Sequence, residues 1–174
     1  METIPDTAPA ETGATSPGKA DLGKRFVALL IDVLIVYLLA LVLSFGGRGA
    51  LYGLGMLAGA VYYLVRDGLT LEFMNGRSLG KKVMKLRPIR LDGGTMDINT
   101  SIRRNWPLAL GPILLGIAAL MGGLGIFLFA GLLAIIAWIG SLLGLVEAIL
   151  VLTDSEGRRI GDKFAGTKVV VSDD

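Results

Sequence analysis

The stretch that decides the fold is RFVALLIDVLIVYLLALVLSF, residues 25–45. An apolar run of about twenty residues forms a helix long enough to cross the ~30 Å hydrocarbon core of a bilayer. Its interior holds one charge, Asp32, which lies two helical turns after Arg25 and therefore on nearly the same helix face. Because an ionisable side chain inside a spanning helix costs at least ~2.5 kcal/mol on insertion scales, Asp32 is a candidate functional residue.

The composition places the chain in the membrane class. Of its 174 residues, 53% are hydrophobic and 18% are charged, whereas average soluble domains are ~25% charged. The chain has no Cys and no His, which excludes disulfides, Cys/His zinc sites, His-ligated haem and Ser-His-Asp catalysis. We also find no phosphate-binding loop, and we predict no enzymatic activity, no cofactor and no metal site.

Four apolar spans and a polar remainder follow from the hydropathy pattern. The predicted spans are residues 26–45, 50–65, 107–121 and 126–152. Short Gly-rich breaks join them in pairs, so we predict two helical hairpins connected by a basic loop at residues 66–105. Residues 1–20 are rich in Pro, Thr, Ala and Glu and lack an apolar period, which predicts a disordered tail, and residues 172–174 form a second short tail.

Basic residues are segregated to one side of these spans. With four spans, 16 of the 17 Lys and Arg residues fall on the side that carries both termini and the long loop, and Arg48 alone falls on the other. The positive-inside rule then places both termini in the cytoplasm. The predicted fold is an all-α membrane protein of four transmembrane helices, with short amphipathic helices and a small β element on its cytoplasmic face.

The long loop contains a basic amphipathic segment. Residues 78–87 place Leu79, Val83 and Leu86 at helical spacing. Three lysines surround these apolar residues: Lys81, Lys82 and Lys85. We predict a helix in the headgroup plane, where each lysine gains ~1 kcal/mol from anionic lipid. The alternative is a solvated basic loop that only sets the topology.

Turn and cap residues organise the rest of this loop. Residues 86–91 and 95–98 flank the sequence DGG at residues 92–94, which predicts a short β-hairpin. Asn99 or Thr100 is predicted to cap the helix that leads into the third span.

Two GxxxG patterns mark candidate helix-packing faces. Gly55 and Gly59 lie in the second span, and Gly140 and Gly144 lie in the fourth. Such glycines permit close helix approach in lipid, although chance spacing is the alternative in a chain with 25 glycines. Because four short spans enclose little space, we predict a homodimer through these faces.

Similar segments follow the two hairpins. LGKK at residues 79–82 and IGDK at residues 160–163 both read aliphatic-Gly-x-Lys, and the second leads into the β-prone KVVV at residues 168–171. We predict two half-units in parallel orientation, related by an axis along the membrane normal, as in some transporters. The alternative is that basic segments beside membranes look alike.

These residues resemble the RDD family of small bacterial and archaeal membrane proteins, which is named for one Arg and two Asp. The Arg at the start of its first helix and the Asp within that helix match Arg25 and Asp32, and Asp162 is the candidate for the second Asp. GRSLGKK at residues 76–82 and RIGDKFAGT at residues 159–167 resemble two further family motifs.

The resemblance implies one transmembrane domain over residues 21–171 in a prokaryotic plasma membrane. Some family members are associated with Na⁺(Li⁺, K⁺)/H⁺ antiport, which implies cation transport for this chain. Gly161 stands where many members carry His, so any proton-carrying role of that His is absent here.

Asp32 and Glu147 are the candidate ion and proton site. At ~1.5 Å per helical residue, each lies ~9–10 Å inside the membrane from the same face. If their helices face each other, the two carboxylates share a proton or a small cation. The alternative for Asp32 is a structural pair with Arg25 or a loop arginine, and for Glu147 it is a position at a lumen edge or snorkelling to the interface.

Arg25 and Asp162 each lie near a helix end and are candidates for an ion pair at the cytoplasmic face, with a topological anchor as the alternative role for Arg25. We favour a small cation/proton antiporter that uses the buried carboxylates. The alternative is a non-transporting scaffold that binds a partner protein or anionic lipid through its basic face. Nucleic-acid binding is not predicted, because the basic residues border the membrane and lack interleaved aromatics.

Overall fold

The computed structural model describes residues 20–45 and 48–172, apart from the side chains of Arg48 and Ser141. Most of the predicted N-terminal tail and residues 173–174 therefore lie outside the described residues. The elements in chain order are α1 (Leu22–Ser44), α2 (Arg48–Val65), α3 (Leu79–Val83), β1 (Leu86–Arg90), α4 (Ile98–Gly123), α5 (Phe127–Thr153), α6 (Ile160–Phe164) and β2 (Thr167–Val171).

The described residues are mostly helical, and three helices are long and apolar enough to cross a membrane. These are α1 with 23 residues, α4 with 26 and α5 with 27. The helix α2 has 18 residues, which corresponds to ~27 Å at ~1.5 Å per residue. The helical membrane class with a small two-stranded sheet is thus confirmed.

The four long helices pack in the order α1, α2, α4 and α5. Gly55 and Gly59 of α2 provide the close approach to α1 that the sequence pattern predicts. A Cβ atom on Gly55 would lie 2.6 Å from the Cα of Ala40, and one on Gly59 would collide with the side chain of Val36. Only a residue without a Cβ lets these two helices approach this closely.

A second close contact joins α2 to α4 and was not predicted. A Cβ on Gly53 would lie 2.8 Å from the carbonyl oxygen of Gly116, and a Cβ on Gly116 would lie 3.0 Å from the carbonyl oxygen of Gly53. The two backbones therefore touch at this crossing. We call the α2–α4 contact the closed seam.

The second predicted packing pair does not bring helices together within the described chain. A Cβ on Gly140 would have its nearest neighbour, a methyl of Leu110, at 3.9 Å, and a Cβ on Gly144 would meet no heavy atom within 4 Å. The spacing in α5 is therefore not a close intramolecular contact, because most of α5 lies at the outside of the bundle.

The small sheet differs from the predicted hairpin. Strand β1 pairs in antiparallel register with β2, Leu86 opposite Val171 and Arg90 opposite Thr167. The predicted second strand at residues 95–98 was wrong, because Asp97 in that segment caps α4 by accepting a hydrogen bond from the Thr100 amide at 2.7 Å. The predicted caps Asn99 and Thr100 lie inside the helix, because α4 begins earlier than predicted and Asp97 holds the N-cap position.

The two halves of the chain repeat local structure as well as sequence. The units α3–β1 and α6–β2 each consist of a five-residue helix, a two-residue turn and a five-residue strand. The second turn residue has positive φ in both units, 53° at Lys85 and 61° at Gly166. The first helix of each half begins at an Asp cap, Asp21 for α1 and Asp97 for α4.

Each short helix packs closely against the first long helix of its own half at one glycine, which we call the seat of that helix. A Cβ on Gly80 would collide with the carbonyl oxygen of Ala28 in α1, and a Cβ on Gly161 would collide with that of Arg104 in α4. Both carbonyls lie two helical turns after the Asp cap of their helix. This correspondence supports the predicted pair of half-units.

Candidate functional site

Nine charged side chains meet where the short helices and the sheet join the bundle. Seven are buried, and the side chains of Arg25 and Arg159 are 9% and 11% exposed. We call this set the charge layer. Its cations are Arg25, Arg66, Lys81, Arg104 and Arg159, and its anions are Asp32, Asp67, Glu147 and Asp162. All six helices or the residues next to them contribute, so the layer ties both halves of the chain together.

Asp32 has a full set of donors. Its Oδ2 lies 2.7 Å from Nη1 of Arg66, and its Oδ1 accepts hydrogen bonds from the Tyr62 hydroxyl at 2.8 Å and the Gly80 amide at 2.9 Å. The carboxylate therefore holds the start of α3 against α1 and α2. Of the roles considered from sequence, this geometry matches a structural pair with an arginine that follows the second span.

Asp67 is a second buried carboxylate, and the sequence did not single it out. Nζ of Lys81 lies 2.5 Å from its Oδ1 and 2.7 Å from its Oδ2, and Asn105 donates to Oδ2 at 3.1 Å. Burial alone raises the pKa of Asp67, but the positive charges of Lys81, Arg104 and Arg66 outweigh burial and hold the pKa well below its usual range.

Lys81 lies in this layer and not at the lipid surface. The residue is 8% exposed, whereas Val83 on the expected buried face is 67% exposed. Lys81 therefore does not lie on an exposed helix face in the headgroup plane, as the sequence predicted, because the helical spacing showed a face but not which way that face points. Lys82 and Lys85 are exposed.

Burial lowers the pKa of Lys81 to about 7, from an ordinary value of 10.5. The contact with Asp67 acts in the opposite direction, and the positive charges of Arg104 and Arg66 lower the pKa further.

Asp162 joins the second half to α1 and α4. Its Oδ1 lies 2.8 Å from Nε of Arg104, and its Oδ2 lies 3.2 Å from Nη2 of Arg25. Burial alone raises the pKa of Asp162, but Arg104, Arg159 and Arg25 together lower it below the ordinary value. Arg25 also donates to the carbonyl oxygen of Gly157, so it is fixed from two sides.

Glu147 is less completely paired than Asp32. Its Oε1 accepts a hydrogen bond from the Gly161 amide at 3.0 Å, and its Oε2 lies 3.5 Å from Nη1 of Arg159. Within the described part of the chain, Oε2 has no hydrogen-bond partner, although the residue is only 2% exposed. Asp32 and Glu147 thus have separate partners, and the expectation of one proton shared between them is not met by this geometry.

A cavity of about 400 Å³ lies between α1 and α5. Both candidate carboxylates line it, together with four cations of the charge layer: Arg25, Arg66, Lys81 and Arg159. The carboxylates of the layer are otherwise dispersed, and among residues 20–45 and 48–172 no three metal-ligating side chains form a cluster that would hold a metal ion.

The sequence pattern missed Arg66, Asp67 and Arg104 as site residues because each is adjacent to an apolar run, where charge is ordinarily a topology signal. One signal was available for Asp67. It is an acid directly beside Arg66 at the end of a span, where the positive-inside rule accounts for the arginine but not for the acid.

The sequence model of the RDD family matches residues 19–166. The chain belongs to the RDD family. No curated protein and no solved structure gives a significant match. In this RDD protein, Arg25 and Asp162 contact each other, whereas Asp32 contacts Arg66.

The structure also gives a physical account of Gly161, the position where the chain departs from the expected His. The Gly161 amide donates to Glu147, and its Cα faces the carbonyl oxygen of Arg104 so closely that a Cβ would collide with it. A side chain at this position requires α6 to move away from α4.

Proposed function

We propose that this RDD protein is a small membrane transporter in which Glu147 exchanges a proton for a cation at the α1–α5 cavity. The observation that carries the proposal is that Glu147 lines the cavity while its Oε2, 3.5 Å from Nη1 of Arg159, has no hydrogen-bond partner in the described part of the chain. A buried carboxylate oxygen that accepts no hydrogen bond is a group that a proton or a small cation would bind.

Asp32 has a different role in this proposal. Three donors occupy its oxygens, so we assign it to holding α3 in place and Glu147 alone to exchange. This assignment narrows the pair expected from sequence to one residue.

The proposed orientation places the protein in a prokaryotic plasma membrane with four crossings and both termini in the cytoplasm. The support is the segregation of basic residues and the length of α2, which at ~27 Å spans a bilayer with slight local thinning. Because the chain has no Cys, Asp92→Cys and Ser155→Cys can each be labelled alone. In inside-out vesicles both should react with an impermeant maleimide, and protection of either would contradict this orientation.

A flux assay tests the exchange. The purified protein is placed in liposomes with a pH dye inside, and pulses of Na⁺, Li⁺ or K⁺ are added outside. We expect proton movement in the wild type, its loss in Glu147→Gln and its retention in Asp92→Asn, which removes an exposed carboxylate whose ion pair, with Arg90, is outside the charge layer. If no cation moves protons, or if Glu147→Gln matches the wild type, the exchange proposal fails.

A second candidate is a non-transporting scaffold that recruits a partner protein or anionic lipid. The observation that favours it is an exposed apolar side chain at the equivalent end of each short helix, Val83 on α3 and Phe164 on α6, which are 67% and 68% exposed. Each follows an exposed lysine, Lys82 or Lys163. Crosslinking of native membranes with mass spectrometry tests this candidate. A dominant partner linked at Lys82 or Lys163 would support it, whereas crosslinks only to a second copy of the chain would support the predicted homodimer.

A further inference from the structure

The cavity between α1 and α5 has features of a lipid site, and these do not depend on proton exchange. We infer that it binds one anionic phospholipid from the membrane, with the phosphate at the charge layer and an acyl chain along α1 and α5. Four observations carry this inference: the net charge of the layer, a guanidinium whose two terminal nitrogens have no hydrogen-bond partner in the described part of the chain, the apolar walls of the cavity and its opening to the outer face of the bundle.

With Lys81 protonated, the charge layer has an excess of one positive charge, since it contains five cations and four anions. The excess is also present at the cavity itself, where Arg25, Arg66, Lys81 and Arg159 face two carboxylates. An uncompensated buried charge is costly. One bound anion would bring the layer to neutrality.

The guanidinium of Arg104 has fewer hydrogen-bond partners than it has donor groups. The residue is 0% exposed, and its Nη1 and Nη2 have no hydrogen-bond partner in the part of the chain that the structure describes. Arg104 does not line the cavity, but Asp162 and Asp67 connect it to the cations that do. A phosphate that pairs with Arg25 or Lys81 would leave more of these carboxylates for Arg104. Phosphate is the anion that guanidinium groups bind in bidentate geometry.

The walls of the cavity suit an acyl chain. They include Phe26 and Leu29 of α1, Leu108 of α4, and Val151 and Leu152 of α5, beside the charged groups that also line the cavity. A volume of about 400 Å³ lies in the range of sites that bury small amphiphilic ligands. A free phosphate would pair with the charged groups only and leave these apolar side chains without contacts.

The cavity opens at the outer face of the bundle. Phe26 and Leu152 line it from opposite helices and are nevertheless 64% and 61% exposed. Among the described residues, α1 and α5 do not form a packed interface, unlike α2 and α4 at the closed seam. For a helix pair in a membrane, the surroundings at this opening are lipid, so the ligand that has direct access is a lipid molecule.

Substitution of Gly144 blocks the cavity without touching a charge. Gly144 lines the cavity, and a Cβ there would meet no heavy atom within 4 Å, so Gly144→Phe fills the space without a backbone clash. Gly131→Phe is the matched control, because Gly131 lies in the same helix with the same free space but does not line the cavity. Ala148→Phe, also in the wall, is the second blocking variant should Gly144→Phe not fold.

The experiment is native mass spectrometry of the full chain in detergent, titrated with phosphatidylglycerol, phosphatidylcholine or inorganic phosphate. We expect the wild type and Gly131→Phe to retain one phosphatidylglycerol, with little retention of phosphatidylcholine, and the blocking variants to bind phosphatidylglycerol about tenfold more weakly or worse because the site is filled. Equal retention of the two lipids, or unchanged retention in a folded blocking variant, would overturn the inference.

Two further measurements distinguish a lipid site from a simple anion site and from the exchange site. Binding of inorganic phosphate with displacement of phosphatidylglycerol and no effect of Gly144→Phe would make the cavity a simple anion site and overturn the lipid assignment. Glu147→Gln, which is expected to abolish proton exchange, should retain phosphatidylglycerol at least as well as the wild type because it removes a negative charge. Loss of exchange with retained lipid thus tests the two proposals separately.

Discussion

The two halves of the molecule place the same short unit in opposite electrostatic surroundings. In the first half, Lys81 follows Gly80, which packs against α1, and Lys81 contacts the carboxylate of Asp67. In the second half, Asp162 follows Gly161 and contacts guanidinium groups. The two halves therefore share a backbone structure. At one equivalent position the charge is reversed, positive at Lys81 and negative at Asp162. This reversal of charge lets Lys81 of the first half pair with Asp67 and lets Asp162 of the second half pair with Arg104 and Arg25.

Two pairs of long helices, α2–α4 and α1–α5, also differ, in how closely they pack. If α1 corresponds to α4 and α2 to α5, then the α1–α5 contact is the counterpart of the closed seam. Gly53 and Gly116 bring α2 and α4 into backbone contact, whereas α1 and α5 are separated by the cavity. The closed seam between α2 and α4 stabilises the bundle, whereas the gap between α1 and α5 leaves space for a ligand.

The largest effect should come from removing Asp162, which balances Arg104, Arg25 and Arg159. We expect Asp162→Asn to lower the free energy of unfolding by about 3–5 kcal/mol, because removal of one partner leaves buried charges uncompensated. Denaturant titration of the purified protein in detergent measures this change. Asp92→Asn is the control and should leave the midpoint unchanged, since its ion pair with Arg90 is exposed. A wild-type midpoint for Asp162→Asn would show that the layer is not required for stability.

The next effect compares the carboxylates of the two halves. Asp32→Asn should cost about 3 kcal/mol because Arg66 loses its partner at 2.7 Å. Glu147→Gln should cost less than about 1 kcal/mol, since its Oε1 can still accept the hydrogen bond from Gly161. The same denaturant titration checks both variants. Equal losses would mean that Glu147 is as firmly paired as Asp32, which would remove the basis for assigning exchange to Glu147.

A smaller effect tests the equivalence of the two seats. Gly80→Ala and Gly161→Ala each place a methyl group against a backbone carbonyl, so each should cost about 1–3 kcal/mol through overpacking. Gly131→Ala is the matched control, because no heavy atom lies within 4 Å of the added Cβ and alanine favours a helix. Similar midpoint shifts for Gly80 and Gly161, with none or a slight gain for Gly131, would fit a repeated fold. A large loss at only one seat would contradict it.

Hydropathy and short-range spacing predicted much of this fold, because helices in a membrane are set by local sequence. The long helices, the close approach at Gly55 and Gly59, and the family follow from patterns within a few turns of chain. The strand pairing did not follow. The partner of β1 is β2, which follows only after α4, α5 and α6. A hairpin rule considers only neighbouring segments and cannot find this partner.

The candidate site was predictable in part for a related reason. The buried acids Asp32 and Glu147 stand out in apolar runs, but the choice of Arg66 as the partner of Asp32 depends on how the chain folds back after α2. Lys81 shows the same limit. Its spacing is that of a surface lysine on an amphipathic helix, yet Gly80 seats the helix so closely on α1 that Lys81 is turned towards Asp67.

The smallest effect concerns the protonation of Lys81 and compares it with its counterpart Asp162. Burial lowers the pKa of Lys81 from 10.5 to about 7 in the folded chain. Between these two values the unfolded chain binds one more proton than the folded chain, so the free energy of unfolding should rise with pH, by about 1 kcal/mol between pH 7 and pH 8. Below about pH 6 this lysine is almost fully protonated in both states and contributes little slope.

Denaturant titrations at pH 6, 7, 8 and 9 measure this slope, and Lys81→Met should remove it. Asp162 does not titrate in this window, because its pKa is lowered from an already acidic value. The rise therefore belongs to the first half alone. A rise of equal size in Lys81→Met would assign it to another group, and a flat profile in the wild type would mean that the contact with Asp67 keeps Lys81 protonated in the folded chain.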